Sequence, residues 1–229
     1  YHFHGRNLDN TIWNDDTYFT SLIQSNWQKS KVKPPTVVLI SYGPEWLLTP
    51  KNSQAKSGLM DDFISNLPFI ESKIGHPKNR ILVGESMGGL NVLILGLSHP
   101  ELFSRVAALC PGVYLDSPFS DFDKKRAALK RTGADPKVAL GVYLMAKKYV
   151  SNEQEWKKIS PIELIKQANI EYPELYLSCG LYDKFGNYEG TEALVNIANS
   201  KGVKTQWHPL YGGHCAIDIN SLADFLVIK

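Results

Sequence analysis

The sequence predicts an α/β fold, a mostly parallel central sheet with helices on both faces. Two observations carry this. Short β-branched apolar runs alternate with longer segments of helical period, and the links between them are short. The run at 36–41 is also apolar at successive positions, from Val37 to Ile40, rather than at every second residue, as a strand buried on both faces is.

The chain opens on Tyr1-His2-Phe3-His4-Gly5, which reads as the end of a strand, and Tyr1 suggests that an upstream part is absent. Residues 36–41 (Thr-Val-Val-Leu-Ile-Ser) follow Pro34-Pro35 and read as a buried parallel strand. Over 59–74, Leu59, Phe63, Leu67, Ile70 and Ile74 recur at spacings of three and four, which predicts a helix that Pro68 kinks or splits. Residues 80–83 form the next strand, and 87–97 a helix ending near His99-Pro100. Residues 105–110 form a strand halted by Pro111-Gly112. Further strands are expected over 174–178 and 205–208, and helices over 189–200 and 221–228. Residues 115–168 break the rhythm and read as a helical insert above the sheet, within one domain spanning 1–229.

At 229 residues the chain is long enough to bury a sizeable core unaided. With 25 basic and 23 acidic residues it gives no electrostatic reason to expect nucleic acid or an anionic membrane as partner. No apolar run approaches the ~20 residues of a membrane span. Cys110, Cys179 and Cys215 show no metal-ligand spacing, and an odd count excludes a fully paired framework. Cys179 and Cys215 both neighbour the expected site; they read as buried small hydrophobes, with an approach between them as the alternative.

The chemistry centres on Gly84-Glu85-Ser86-Met87-Gly88-Gly89, between a strand and a helix. A nucleophile at such a tight turn has a strained backbone, and glycines on either side remove side chains that would clash. The turn lifts Ser86 above the sheet, at a helix N-terminus that favours developing negative charge. A serine hydroxyl needs a base, and the base an orienting carboxylate. His214, in Tyr211-Gly-Gly-His214 after the last strand, is the candidate base. His208 lies within a strand, His76 and His99 precede prolines at helix ends, and His2 and His4 lack a third ligand for a metal. Asp183, just past a strand, is the candidate acid, with Asp218 as the alternative that fits a helix cap better. The oxyanion donors are expected to be the backbone N–H groups of Met87 and Arg6, with Asn7 as alternative to Arg6.

These residues give the chain a resemblance to the α/β-hydrolase superfamily. Within it, the chain resembles the esterase family that contains esterase D (S-formylglutathione hydrolase), feruloyl and acetyl-xylan esterases, tributyrin esterases and mycolyltransferases. The resemblance rests on His4-Gly5, Gly84-Glu-Ser86-Met-Gly-Gly89, Ser98-His-Pro-Glu-Leu-Phe103, Cys179-Gly-Leu-Tyr-Asp183 and Gly212-Gly-His214. It implies acylation of Ser86, acid–base work by His214, orientation by Asp183 and deacylation by water, with no cofactor and a small ester as substrate. The alternatives are an acyltransferase or serine peptidase on the same fold, or a silent binding module. The family's His-Gly follows its third strand, so the first strands of the fold are expected to be missing here. Arg6 departs from the small residue usual after His-Gly; it reads as solvent-facing, with contact to an acidic substrate as the alternative. The aromatics Tyr114, Phe119, Phe122, Tyr143 and Tyr149 read mainly as packing, with a role in lining the site as the alternative, and Trp46 lies in a loop on the active-site edge, within reach of a substrate. Oligomeric state and localisation are not set by the sequence.

Overall fold

The computed structural model describes residues 1–46, 48–50 and 58–228. Its sheet has six strands in the order β2-β1-β3-β4-β5-β6. These are β1 (His2–Phe3), β2 (Leu39–Ile40), β3 (Ile81–Glu85), β4 (Arg105–Leu109), β5 (Glu174–Gly180) and β6 (Thr205–Leu210). Every pairing is parallel. The strand expected over 36–41 contracts to Leu39–Ile40, because β2 is an edge strand and only those two residues pair with β1. Pro209 falls inside β6, where it is tolerated because β6 is the other edge and one side needs no N–H donor.

Alternation along the strands divides the core. Leu82, Val106, Ala108, Leu175 and Leu177 point to one face. Val83, Ala107, Leu109 and Tyr176 point to the other. The first face is covered by helices α2 (Leu59–Ile74), α3 (Met87–Ser98) and α8 (Asn187–Ser200). The second is covered by α1 (Phe19–Lys29) and α9 (Ile219–Phe225), through Ile23, Trp27, Leu222 and Phe225. α1 is not among the helices expected from sequence. Its buried residues are Thr20, Ile23 and Trp27 alone, too thin a stripe to stand out. α2 runs unbroken through Pro68, which lies on the solvent side, where the carbonyl it leaves unbonded can be hydrated.

Four helices occupy the chain between β4 and β5: α4 (Phe122–Thr132), α5 (Pro136–Ala146), α6 (Glu153–Ile159) and α7 (Pro161–Leu164). Asp121, Asp135 and Asn152 cap the first three by accepting backbone N–H bonds, and Pro136 starts α5 with its φ already set. Among the described residues no helix is long and apolar enough to cross a membrane.

Candidate active site

All six strands run the same way, so residues just past their C-terminal ends gather on one edge of the sheet. β1 leads into His4-Gly5-Arg6, β3 into Ser86, β5 into Asp183 and β6 into His214. The chain leaves β1 toward β2 on one side and returns as β3 on the other, so the strand order reverses between β1 and β3. A crevice opens at such a reversal.

Ser86 stands at the N-cap of α3 with φ 54° and ψ −111°, a left-handed backbone that a residue with a side chain rarely adopts. The turn is possible because of close backbone approach. A Cβ on Gly88 would lie 1.8 Å from the Phe3 carbonyl oxygen, and one on Gly84 would lie 2.5 Å from the Gly88 backbone. An N-cap serine ordinarily accepts a bond from the first turn of its helix. Ser86 makes no such cap, and its Oγ lies 2.9 Å from Nε2 of His214.

Nδ1 of His214 lies 2.7 Å from Oδ2 of Asp183. An ionised carboxylate only accepts, so Nδ1 carries the imidazole proton and Nε2 accepts from the Ser86 hydroxyl. Asp183 is 3% exposed. Its other oxygen accepts the Phe185 N–H at 2.7 Å, and the Cys179 thiol lies 3.7 Å from Oδ2. Burial, reinforced by the Asp183 charge, pushes the Cys179 thiol far up, so it stays a neutral donor. The Phe185 ring packs on the His214 ring at 4.4 Å between centroids.

The other candidates lie elsewhere. Asp218 caps α9 through the Ser221 N–H. His208 stacks on Tyr176 at 4.4 Å. His99 caps the end of α3, and His76 lies beyond α2 at the opposite end of the sheet. The reading of Cys215 is corrected, since it forms a disulfide with Cys110, whereas Cys179 is free and buried, as expected of a small hydrophobe. The bond joins the residue after His214 to the end of β4. Cys110, Cys215 and His214 bring three potential metal donors within 4.8 Å. The disulfide and the contacts to Ser86 and Asp183 already occupy those donors.

A second network supports the segment after β1. Glu85, 2% exposed, accepts the Gly5 N–H at 2.8 Å and the Tyr18 hydroxyl at 3.2 Å. Its Oε2 meets Nε2 of His2 at 2.6 Å, while Nδ1 of His2 meets the Trp13 indole nitrogen at 2.6 Å. Indole can only donate, so the His2 proton lies on Nε2 and points at Glu85. Burial pushes the Glu85 carboxyl up, but its bonding to His2, Gly5 and Tyr18 outweighs this and holds it below the ordinary value. His4 bridges the Gly5 carbonyl and the Ser41 hydroxyl, both at 2.7 Å. The sequence reading missed this network. Its signal was a charged residue between Gly84 and Ser86, where the chain is otherwise apolar or small.

The Gly5 N–H is therefore committed, whereas among the described residues the Arg6 and Asn7 N–H groups have no protein acceptor. The Met87 N–H opens α3 and has no intrahelical acceptor.

Ser86 and His214 open into a cavity of about 800 Å³. Arg6, Trp46, Phe185 and Asn187 line it, with Lys137, Val138, Gly141, Val142 and Met145 from one face of α5. Arg6 is exposed into this cavity, and its guanidinium donates to Met145 Sδ at 2.8 Å. Trp46 reaches the cavity, but Tyr114, Phe119, Tyr143 and Tyr149 pack in or against the core; the side chain of Phe122 lies outside the described residues. A smaller cavity of about 280 Å³ at the far end of the sheet is lined by residues such as Trp13, Val37 and Pro77 and carries no nucleophile beside a base.

A family model described as "Putative esterase" matches residues 1–216. No curated protein matches the chain. Among solved structures, the chain resembles the fluorophosphonate-binding serine hydrolase F (FphF) of Staphylococcus aureus, with 17% identity and a TM-score of 0.65 over 100% of this chain and 82% of that one. It also resembles a ferulic acid esterase, with 16% identity and a TM-score of 0.61 over 97% and 79% of the two chains. A third likeness is to an S-formylglutathione hydrolase of Staphylococcus aureus, with 16% identity and a TM-score of 0.55 over 98% and 76%. At such identities the structural likeness speaks for the α/β-hydrolase fold.

Proposed function

Because the chain belongs to the "Putative esterase" family and has the α/β-hydrolase fold, we propose that it hydrolyses small or soluble carboxylic esters through an acyl-enzyme on Ser86. The observation that carries this reading is the hydrogen-bonded series Ser86–His214–Asp183, with contacts of 2.9 and 2.7 Å at the mouth of the large cavity.

In the first step Ser86 Oγ attacks the ester carbonyl carbon, and its proton passes to Nε2 of His214. The resulting imidazolium is stabilised by Asp183, which stays ionised. The oxyanion settles at the N–H groups of Met87 and Arg6, with Glu85 and His4 holding the Arg6 segment in place from behind. Collapse breaks the bond to the alcohol, which leaves with the proton from His214. Water then attacks the acyl-enzyme with His214 again as base, releasing the acid and restoring Ser86. Residues 115–168 act as a cap that supplies the α5 wall of the cavity.

Hydrolysis of a 4-nitrophenyl ester by wild type and by Ser86→Ala tests this reading. The variant is expected to lose at least about 10⁴-fold in kcat/KM while keeping its circular dichroism spectrum. An unchanged rate in Ser86→Ala contradicts the reading.

A further inference from the structure

The cavity over Ser86 is unevenly charged. Its described lining holds three cations, Arg6, Lys137 and Lys184, and one carboxylate, Glu85. Glu85 is buried and already bonded to His2, the Gly5 N–H and Tyr18, so it faces its own network inside the wall. All three cations are solvent-exposed. Among the described residues none of them pairs with a carboxylate: the Arg and Lys ion pairs lie elsewhere, as at Arg80–Glu71 and Arg105–Glu174. Arg6 rests on the Met145 sulfur, a weak acceptor, and the Lys184 ammonium lies 5.4 Å from the Phe185 ring centroid.

The bias is local, since the whole chain balances 25 basic against 23 acidic residues. It is also assembled from separate parts of the chain. Arg6 follows β1, Lys137 opens α5 and Lys184 follows Asp183. The Asp135 N–H donates to the Lys184 carbonyl at 2.9 Å, which fixes the start of α5 beside the turn that bears Asp183. Asp135 spends its carboxylate on the N–H groups of Lys137 and Val138 and does not line the cavity. Between the cations the wall is apolar, with Trp46, Val142, Met145 and Phe185.

We propose that this site selects esters that carry a negative charge, a carboxylate or phosphate, away from the carbonyl that is attacked. The inference rests on Ser86 being the nucleophile of an esterase. Unpaired cations around a concave site of low dielectric raise the local concentration of anions and orient them, and salt screens the effect because the cations are exposed.

The test compares kcat/KM for matched esters, each normalised to its own hydroxide-catalysed rate. One pair sets a 4-nitrophenyl alkanoate against the 4-nitrophenyl monoester of a dicarboxylic acid of equal length. A second pair places the carboxylate on the phenol instead, and so tells an acyl-side charge from an alcohol-side one. At low ionic strength an anionic ester in at least one pair is expected to lead by about 10-fold, with the lead shrinking toward parity as salt rises. Lys137→Gln and Lys184→Gln are each expected to cut that lead about 2- to 5-fold. The salt titration uses the wild-type chain, so it reads out even if a variant misfolds. Ser86-dependent turnover with neutral esters equal or favoured in both pairs overturns this inference and leaves the esterase reading standing. Absence of Ser86-dependent turnover for every ester overturns the esterase reading and this inference with it.

Discussion

At Asp183 a buried carboxylate is tolerable because each of its oxygens has a donor. His214 and the Cys179 thiol approach one oxygen, and the Phe185 N–H the other. Asp183→Asn places an amide where the charge was and can invert the His214 tautomer, so kcat is expected to drop by about 10⁴-fold with the fold intact. Steady-state kinetics beside a thermal melt checks this; a near-normal kcat contradicts it. Glu85 follows the same logic one position before Ser86. Glu85→Gln can set an NH₂ against the Nε2–H of His2, leaving buried donors facing each other, and is expected to cost about 1–3 kcal/mol of stability. The depressed carboxyl also has a pH signature. Its folded-state pKa lies below the unfolded value of about 4.3, so its contribution is complete above that value and is lost as pH falls through the folded one. Urea titrations of wild type and Glu85→Gln across that acidic range should therefore converge as pH falls, and a constant gap contradicts the assignment.

At the scale of elements, the loop after β6 matters most. It carries His214 behind two glycines, which bring no side chain to anchor the loop; the Tyr182 N–H donates to the Gly212 carbonyl at 3.0 Å and the Ala216 N–H to the Gly213 carbonyl at 3.3 Å. The disulfide from Cys215 to Cys110 ties it to the end of β4 across 105 residues of sequence. In the loop-entropy description a bridge of that span contributes up to about 4–5 kcal/mol, and measured values are commonly about 2–4 kcal/mol. Cys215→Ser is therefore expected to lower the unfolding free energy by about 2–4 kcal/mol and to lower kcat, because His214 then samples positions out of reach of Ser86. Guanidinium denaturation with parallel kinetics measures both, and unchanged values for both contradict the tether. This pairing was not readable beforehand, because three cysteines allow several connectivities and only the fold brings 110 and 215 together. The element types themselves were largely readable. β3, β4 and β5 are buried on both faces, and each has apolar residues at successive positions, over Ile81–Val83, Val106–Leu109 and Leu175–Leu177. α1 was not, because its three buried residues sit among polar ones, and β2 was drawn too long, because pairing rather than composition ends an edge strand.

At the scale of the whole molecule, strand order was the piece the sequence does not encode locally. The alternation of strand and helix predicts a parallel sheet, but the order β2-β1-β3-β4-β5-β6 depends on which face each crossover takes. That order decides the site, since it puts the β1 loop and the Ser86 turn side by side at the reversal and brings Asp183 and His214 in from the β5 and β6 ends. Candidate site residues stood out in the sequence where a turn motif marked them, as at Ser86. The residues that support them did not: His2, Trp13 and Tyr18 reach Glu85 only after folding. Two of the three cavity cations were hidden for the same reason: Arg6 stood out after His4-Gly5, but Lys137 and Lys184 are unremarkable in a chain of net charge +2 until the fold brings them to the same cavity.

The most direct test is covalent. Incubation of the folded protein with a serine-directed phosphonate, followed by intact-mass and peptide mass spectrometry, asks whether the hydroxyl held by His214 is a nucleophile. One adduct per chain, located on Ser86 and lost in both Ser86→Ala and His214→Ala, is the predicted result. A folded wild-type protein that takes no label, or that takes it on another residue, contradicts the account.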